Sequence, residues 1–252
     1  AGDEQRLHAW TSSSIYKGVL AAPCSNPPMH RFASLKVVMA GADVVVLYTD
    51  GVLVRGGGRC SGGPLDATAQ CLGEGACNLW VRVLRVRGSG VDVAPATQAP
   101  TGPVHMLDAV GLSPGNFAAC YVAEPRLPEI LSEGRCSAGA LAGGELRFGA
   151  AVRMGERVAD PSMAGVPGDA HRFVVSFEKD KAIVAMLGTV SRDGSSRVLL
   201  EPRDSAFLGF LRAQRPVSSS TNTSLLIAVA DQSARNQPIL LRIPLNVSVQ
   251  SS

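Results

Sequence analysis

The chain has 252 residues, 46% of them hydrophobic and 18% charged, and this balance supports a folded core and excludes wholesale disorder. The formal net charge of +3 comes from scattered basic residues rather than a dense basic stripe, which excludes a typical nucleic-acid-binding protein. No apolar run reaches the roughly 18 residues of a membrane-spanning helix, so we expect no direct membrane insertion by this part of the chain.

Glycine and proline punctuate short apolar runs along the chain, which holds 27 glycines and 16 prolines. Such punctuation favours strands and turns over helices, so we predict an all-β fold. The opening residues contain neither an initiator methionine nor an apolar signal core, and we expect a processed chain or an ectodomain fragment. In the first part of the chain we predict strands at residues 14–21, 35–39, 44–48, 79–86 and 91–94, with a loop at 95–103, after which residues 104–110 lead to a corner.

A strand that begins at a corner follows within residues 110–122. Pro114 and Gly115 form the corner, because proline fixes φ and glycine accepts conformations that other residues resist. Phe117 and Tyr121 then fall on one face of the strand, since side chains alternate along it. Cys120 lies mid-strand on the other face, where we expect it to anchor a disulfide.

All six cysteines lie in the first 136 residues. Their even number favours disulfides and an oxidising compartment, and the absence of CxxC pairs argues against zinc. Cys120 and Cys136 bracket a strand and its returning loop, and Cys71 and Cys77 bracket a short loop. We therefore predict the pairs Cys120–Cys136, Cys71–Cys77 and Cys24–Cys60.

Residues 153–170 mark a change in composition. The segment contains two prolines and three glycines but few large apolar residues, and no cysteine follows it. This composition predicts a boundary between two tandem β-sandwich domains. We place a disulfide-containing domain at residues 1–155 and a second domain at residues 156–252.

The second half has clearer strand patterns, at residues 172–177, 182–190 and 197–200. Apolar residues also alternate through the final run, 239–249, which predicts a strand with one wet face. Pro244 removes a backbone donor from that strand and predicts a position at a sheet edge or a bulge. Glycosylation sequons at Asn222 and Asn246 agree with secretion.

These patterns carry two resemblances. Residues 35–152 resemble the immunoglobulin-like repeats of surface proteins from single-celled eukaryotes, through the segment 41–47, Cys60 and the segment 114–121, although Phe117 replaces the usual tyrosine. Residues 171–249 look like a cadherin-like sandwich, through their opening strands and the segment LLIAVAD. The acidic boxes that bind calcium in cadherins are absent, so the resemblance implies the fold and an adhesive context without calcium.

The sequence offers candidates for three kinds of chemistry besides zinc binding. A Ser-His-Asp catalytic site needs a serine on a sharp turn, and the sequence contains no G-x-S-x-G motif. The four histidines are His8, His30, His105 and His171, of which His105 lies near Asp108. The glycine-rich residues 56–63 miss the spacing of a nucleotide-binding loop. We considered Glu74, and Glu178 with Asp180, as acids for glycoside hydrolysis and interpreted all three as solvated turn residues. We therefore expected no catalytic residue, no metal and no cofactor, and a chain that is not an enzyme.

The sequence thus favours an extracellular or cell-surface protein for adhesion or receptor-type binding. Its partner is expected to be a protein or glycan on another cell or in the same surface complex, and not a nucleic acid. Loops at the ends of sandwiches carry recognition, so we place binding on residues 56–63, 71–77 and 125–134. The polar groups that we assign to binding are Arg55, Arg59 and Glu74. The alternative is a secreted enzyme, a hydrolase or carbohydrate-active protein on a β scaffold, which a deep polar cleft would favour.

Overall fold

The regular structure of the described residues consists only of strands, which confirms the all-β prediction. The computed structural model describes residues 9–10, 15–16, 29–53, 78–88, 90–113, 115–123, 132–142, 145–180, 182–191, 196–201, 213–221, 224–231 and 237–244. The strands are β1 (Ala9–Trp10), β2 (Ile15–Tyr16), β3 (Met29–Ala40), β4 (Asp43–Leu53), β5 (Asn78–Arg87), β6 (Gly90–Val93), β7 (Thr97–Gly111), β8 (Asn116–Ala123), β9 (Glu133–Ala142), β10 (Glu145–Phe148), β11 (Val152–Glu156), β12 (Val158–Gly165), β13 (Arg172–Lys179), β14 (Ala182–Val190), β15 (Val198–Glu201), β16 (Ala213–Ser220), β17 (Ser224–Asp231) and β18 (Gln237–Pro244).

All strand pairs are antiparallel, and most join strands that are neighbours in the chain. Strands β12 to β15 form one sheet in chain order, and β16 to β18 form another. Strands β3 to β11 form a nine-stranded sheet that changes partner along β7. The first part of β7 pairs with β5 and its second part pairs with β8, so this long strand joins two layers.

Four layers therefore pack face to face. We name them layer one (β3–β6), layer two (β7–β11), layer three (β12–β15) and layer four (β16–β18). Leu47 and Leu79 of layer one pack with Phe117 of layer two. The opposite face of layer two packs on layer three, and the far face of layer three packs on Leu225 and Ile227 of layer four. The inner layers consequently bury apolar side chains on both faces.

The first strands of the four layers, β3, β7, β12 and β16, lie side by side in chain order. The Asp108 carboxylate of β7 binds Lys36 Nζ of β3 at 3.0 Å and accepts a hydrogen bond from the Met163 N–H of β12 at 2.7 Å. The Ser218 N–H of β16 donates to Ser162 Oγ of β12 at 2.8 Å. A second contact joins each pair further along both strands: Gly111 meets Met39, Gly165 meets Val110, and the Ser220 hydroxyl donates to the Gly165 carbonyl. Because both contacts of a pair advance in the same direction, the first strands run parallel to one another.

Strand β8 carries the pattern that the sequence predicted. Phe117 and Tyr121 are buried between layers one and two, while Cys120 is buried between layers two and three. Cys120 is the register partner of Cys136 on β9, and the two form the predicted disulfide. The predicted pairs Cys71–Cys77 and Cys24–Cys60 lie outside the described residues and stay predictions.

Removing the Cys120–Cys136 disulfide by replacing both residues with alanine is expected to lower the free energy of unfolding by about 3 kcal/mol, because the bond closes a loop of 16 residues. Thermal unfolding of the double variant against the native protein measures this loss. Peptide mapping without reduction checks that the native protein holds the bond. A double variant as stable as the native protein would show that packing alone holds β8 against β9.

Two segments predicted as irregular are strands. Residues 95–103, predicted as a loop, belong mostly to β7. Residues 153–170, predicted as a linker, contain most of β11 and all of β12, where Val158 and Met163 join a core that also includes Cys120. Proline and glycine misled the interpretation, because here they occupy bulged or extended strand positions. The division at residue 155 stays a prediction, although this core crosses it.

Among the described strands, β18 lies at the edge of its sheet, one of the two positions that Pro244 predicted, and residues 245–249 of the predicted strand lie outside the described residues. In the described part of the chain, no helix is long and apolar enough to cross a membrane. The Cys120–Cys136 disulfide is compatible with an extracellular protein. Location at a cell surface stays a prediction.

Candidate functional site

Each of the four first strands carries a β-bulge before the residues that link it to its neighbour. The pairing register shifts between Phe32 and Ser34 in β3 and between His105 and Leu107 in β7. It shifts again in β12, after Ala159, and in β16, after Gln214. Because the strands run parallel, the four bulges lie towards the same end of the stack. Bulges re-aim side chains and are over-represented beside active sites.

The backbone is strained where the bulges of β7 and β12 meet. Five described residues other than glycine have a left-handed backbone, and four of them lie here: Met106, Arg157, Asp160 and Asp180. The sulfur of Met106 accepts a hydrogen bond from the Asp160 N–H at 3.3 Å, which joins the two bulges. A left-handed backbone at a residue other than glycine lowers the stability of the fold. Residues of this kind cluster at functional sites. We call this region the bulge corner.

Two carboxylates occupy the bulge corner, one on each of two paired strands. Glu178 of β13 is the register partner of Ala159, and Asp160 is the next residue, at the bulge. Partial burial, together with the negative charge of Asp160, raises the pKa of Glu178 above its ordinary value. Glu178 is half-buried, so water reaches it. When one of two neighbouring carboxyl groups has a raised pKa, it can stay protonated and donate a proton while the other remains a carboxylate.

The turn after β13 closes the bulge corner with an ion pair. Arg157 Nη1 lies 3.1 Å from Asp180 Oδ1, and both side chains are exposed. The Asp180 carboxylate thus has a cationic partner of its own, unlike the carboxylates of Glu178 and Asp160. The corner combines one neutralised and two uncompensated carboxyl groups among the residues described.

A second polar cluster surrounds Tyr121, which lies on an inner strand of layer two. Arg135 binds Glu133 through two contacts, at 3.1 and 3.2 Å, and Arg153 Nε lies 3.4 Å from the same carboxylate. The hydrogen bonds from Arg135 are the main reason that the pKa of Glu133 is lowered. Burial raises the pKa of Tyr121 to about 12, and its hydroxyl lies near Ser137 without making a hydrogen bond of normal geometry. Since Tyr121 is fully buried and the Glu133 carboxylate already pairs with two arginines, this cluster is a weaker candidate for a reactive site than the bulge corner.

A groove of about 580 Å³ lies at the opposite ends of the first strands. It is lined by the end of β7, the turn after β12 and Ser220 of β16. Its carboxylate, Asp169, accepts a hydrogen bond from the His171 N–H at 3.0 Å and pairs with Arg172 at 3.4 Å. Asp169 is the only acidic residue in the described part of the lining, and these partners already use its carboxylate, so the groove is a weaker candidate site than the bulge corner.

The structure brings few of the predicted site residues into view. Arg55, Arg59 and Glu74, the predicted binding residues, lie outside the described residues, as do the sequons at Asn222 and Asn246. The strand positions of His30 and His105 are described but their side chains are not. The interpretation of Glu178 as a solvated turn residue is wrong, because it lies within β13 and is half-buried. Asp180 is an exposed turn residue, as predicted.

The sequence analysis missed Asp160 entirely. Asp160 stands beside Pro161 in the segment that we predicted to be a linker, where an acidic residue carries no signal. An Asp-Pro pair between two apolar stretches is nevertheless typical of a bulge or turn, and that feature offered a clue.

No protein-family model matches the chain, and no curated protein does so. Among solved structures, the chain is similar to a sialidase of Trypanosoma rangeli in complex with the inhibitor DANA, at 8% identity and a TM-score of 0.46, over 95% of this chain and 49% of that one. It is also similar to the same sialidase as a covalent intermediate with 2,3-difluorosialic acid, at 11% identity and a TM-score of 0.49, over 95% of this chain and 40% of that one. The chain spans less than half the length of either structure.

These structures contradict the sequence-based expectation that the chain is not an enzyme, because both are sialidases. We do not carry that expectation further. That expectation rested on groups close together in the sequence, whereas Asp160 and Glu178 come from different strands.

Proposed function

We propose that this protein is a secreted carbohydrate-active hydrolase whose site is the bulge corner. Glu178 is the proton donor and Asp160 is the anionic partner. The observation that supports this proposal is the raised pKa of a half-buried glutamic acid beside a second carboxylate, on a strained backbone. Secretion rests on the Cys120–Cys136 disulfide and on the two sequons.

We further propose that the four layers are successive blades of a β-propeller rather than two separate sandwiches. In propellers, antiparallel sheets of about four strands repeat around a central channel. Three features support this assignment: each layer follows chain order, each packs face to face with the next, and the first strands lie side by side. The outer face of layer one also carries exposed apolar side chains, at Leu35, Val37 and Met39, of the kind that a neighbouring blade covers.

The proposed reaction needs only the two carboxyl groups, water and a glycoside. The Glu178 carboxylic acid gives its proton to the glycosidic oxygen as the bond from that oxygen to the sugar carbon breaks. The Asp160 carboxylate takes a proton from the water whose oxygen bonds to that carbon. The products are a free sugar and an alcohol, and the two residues return to their starting states by exchanging protons with solvent.

We expect Glu178→Gln to lower hydrolysis of a glycoside at least about 100-fold, because an amide cannot donate the proton. Asp160→Asn is expected to lower it similarly, since the neutral amide cannot act as a base. The assay uses a panel of fluorogenic glycosides that includes a sialoside, the sugar class named for the similar structures. The matched control is Asp180→Asn, which changes an exposed carboxylate in the same corner and is expected to keep activity within about twofold.

The same assay, run over a range of pH, tests the direction in which activity changes with pH. A proton donor with a raised pKa stays protonated to a higher pH, so activity is expected to fall as the pH rises through the pKa of Glu178. In Asp160→Asn the negative charge is gone, so this alkaline limb moves to lower pH. Folded native protein with no turnover on any glycoside of the panel contradicts the proposed function, as does equal activity of Glu178→Gln.

A further inference from the structure

Met106 has an unusual place among the methionines of this chain. It is the bulged residue of β7, its backbone is left-handed at φ 46°, and its side chain is 47% exposed. Its sulfur accepts a hydrogen bond from the Asp160 N–H, 54 residues further along the chain. A thioether is a weak acceptor, and an exposed one is open to oxidation.

The contact of Met106 holds a stretch of backbone at which the ladder between β12 and β13 is interrupted. Asp160 is also left-handed, at φ 46°, and it lies in the part of β12 where regular pairing with β13 is interrupted. Ladder pairing resumes only at Ser162. The hydrogen bond to sulfur therefore holds the Asp160 backbone at the point where its carboxylate is set beside Glu178.

We propose that Met106 is an oxidation site and a positioning residue: its sulfur holds Asp160 beside Glu178, and conversion to the sulfoxide displaces Asp160 from this position. A peroxide supplies the oxygen atom. The sulfur loses two electrons and gains a bond to oxygen, the O–O bond of hydrogen peroxide breaks, and the remaining oxygen leaves as water. The new oxygen stands between the sulfur and the Asp160 N–H. Because it is a stronger acceptor than the thioether, it takes up this N–H further from the sulfur, and the Asp160 backbone must move.

Oxidation of Met106 is expected to lower the pKa of Glu178. The Asp160 charge contributes to the raised pKa of Glu178, so moving that charge away lowers the pKa towards its ordinary value. The other charged groups of the corner are Arg157 and Asp180, which pair with each other, and Lys179, which follows Glu178. His105 precedes Met106, and its side chain lies outside the described residues.

The experiment follows the titration of Glu178 by carbon-detected NMR, with and without dilute hydrogen peroxide, and needs no catalytic activity. The mass of the peptide containing Met106 reports the oxidation. Met106→Leu removes the sulfur and keeps an apolar side chain of similar size. The matched control is Met39→Leu, which removes another exposed methionine, on the outer face of layer one.

We expect peroxide to oxidise Met106 and to lower the titration midpoint of Glu178 in the native protein and in Met39→Leu. In Met106→Leu the midpoint is already lower and peroxide leaves it unchanged. Methionine sulfoxide reductase is expected to reverse the shift in the native protein. A native midpoint that stays constant while Met106 becomes fully oxidised overturns the inference, and so does a Met106 that resists oxidation while Met39 reacts.

This inference depends on the proposed function for its consequence but not for its test. If the shift occurs and no glycoside is cleaved, the proposed function fails while the hold of Met106 on Asp160 stands. If glycosides are cleaved and the midpoint does not move, the hydrolase proposal stands and the oxidation switch fails.

Discussion

Asp108→Ala is expected to lower the free energy of unfolding by about 3–5 kcal/mol, since one side chain serves three partners. Its carboxylate accepts hydrogen bonds from the Ala109 N–H at 2.9 Å and the Met163 N–H at 2.7 Å, and it binds Lys36 Nζ at 3.0 Å. The carboxylate is largely buried where layers one, two and three meet, so water replaces these contacts poorly. For a chain of this size the melting temperature should fall by roughly 10 °C.

Two further variants separate the parts of this contact. Lys36→Met removes only the ion pair, and because Lys36 is partly exposed we expect a loss of about 1 kcal/mol or less. Asp108→Asn keeps one acceptor for the Met163 N–H and is expected to fall between the other two. Chemical unfolding of all three variants measures the series. Equal stability of Asp108→Ala and Lys36→Met would show that the hydrogen bond to Met163 does not stabilise the protein. Other contacts would then have to hold the first strands of layers two and three together.

Gly111→Ala is expected to cost about 3 kcal/mol or more, at the upper end of the cost of overpacking. A β-carbon at Gly111 would lie 1.7 Å from the carbonyl oxygen of Met39, and both are fixed to backbone. The first strands of layers one and two can accept alanine only by moving apart. Such a movement also loosens Leu107 and Phe117 in the core between these layers. Thermal unfolding with near-ultraviolet circular dichroism measures both the stability and the packing.

The control for Gly111 lies in the neighbouring first strand. A β-carbon at Gly165 meets only a methyl group of Val110, at 3.6 Å, which is an ordinary contact. Gly165→Ala is therefore expected to change the stability by no more than about 0.5 kcal/mol. If both variants unfold alike, strand propensity rather than the close approach of β3 and β7 explains the effect.

The pairing of Cys120 with Cys136 and the shared face of Phe117 and Tyr121 were predictable because they depend on neighbouring strands. Consecutive antiparallel strands bring residues into register, and alternation then assigns each side chain to a face. The same logic placed Pro244 at a sheet edge. Each of these predictions needs only local pattern and the geometry of one hairpin.

The bulge corner was not predictable in this way. A bulge is one extra residue relative to a partner strand, and it becomes visible only when the partner and its register are known. Asp160 therefore looked like part of a linker, and Glu178 looked like part of a turn. Their proximity depends on how β12 pairs with β13, and the charge of one acts on the other only at that distance.

By itself, the sequence determined an all-β chain with a disulfide between Cys120 and Cys136, since alternation and hairpin register are local properties. Only the tertiary structure decided that the strands stack in four layers and that Met106 meets Asp160. The physical reason is that layer packing is set by apolar faces that are all chemically alike, so many stackings satisfy the same sequence pattern. The choice among them is made by specific long-range contacts, such as that between Asp108 and Met163, 55 residues apart.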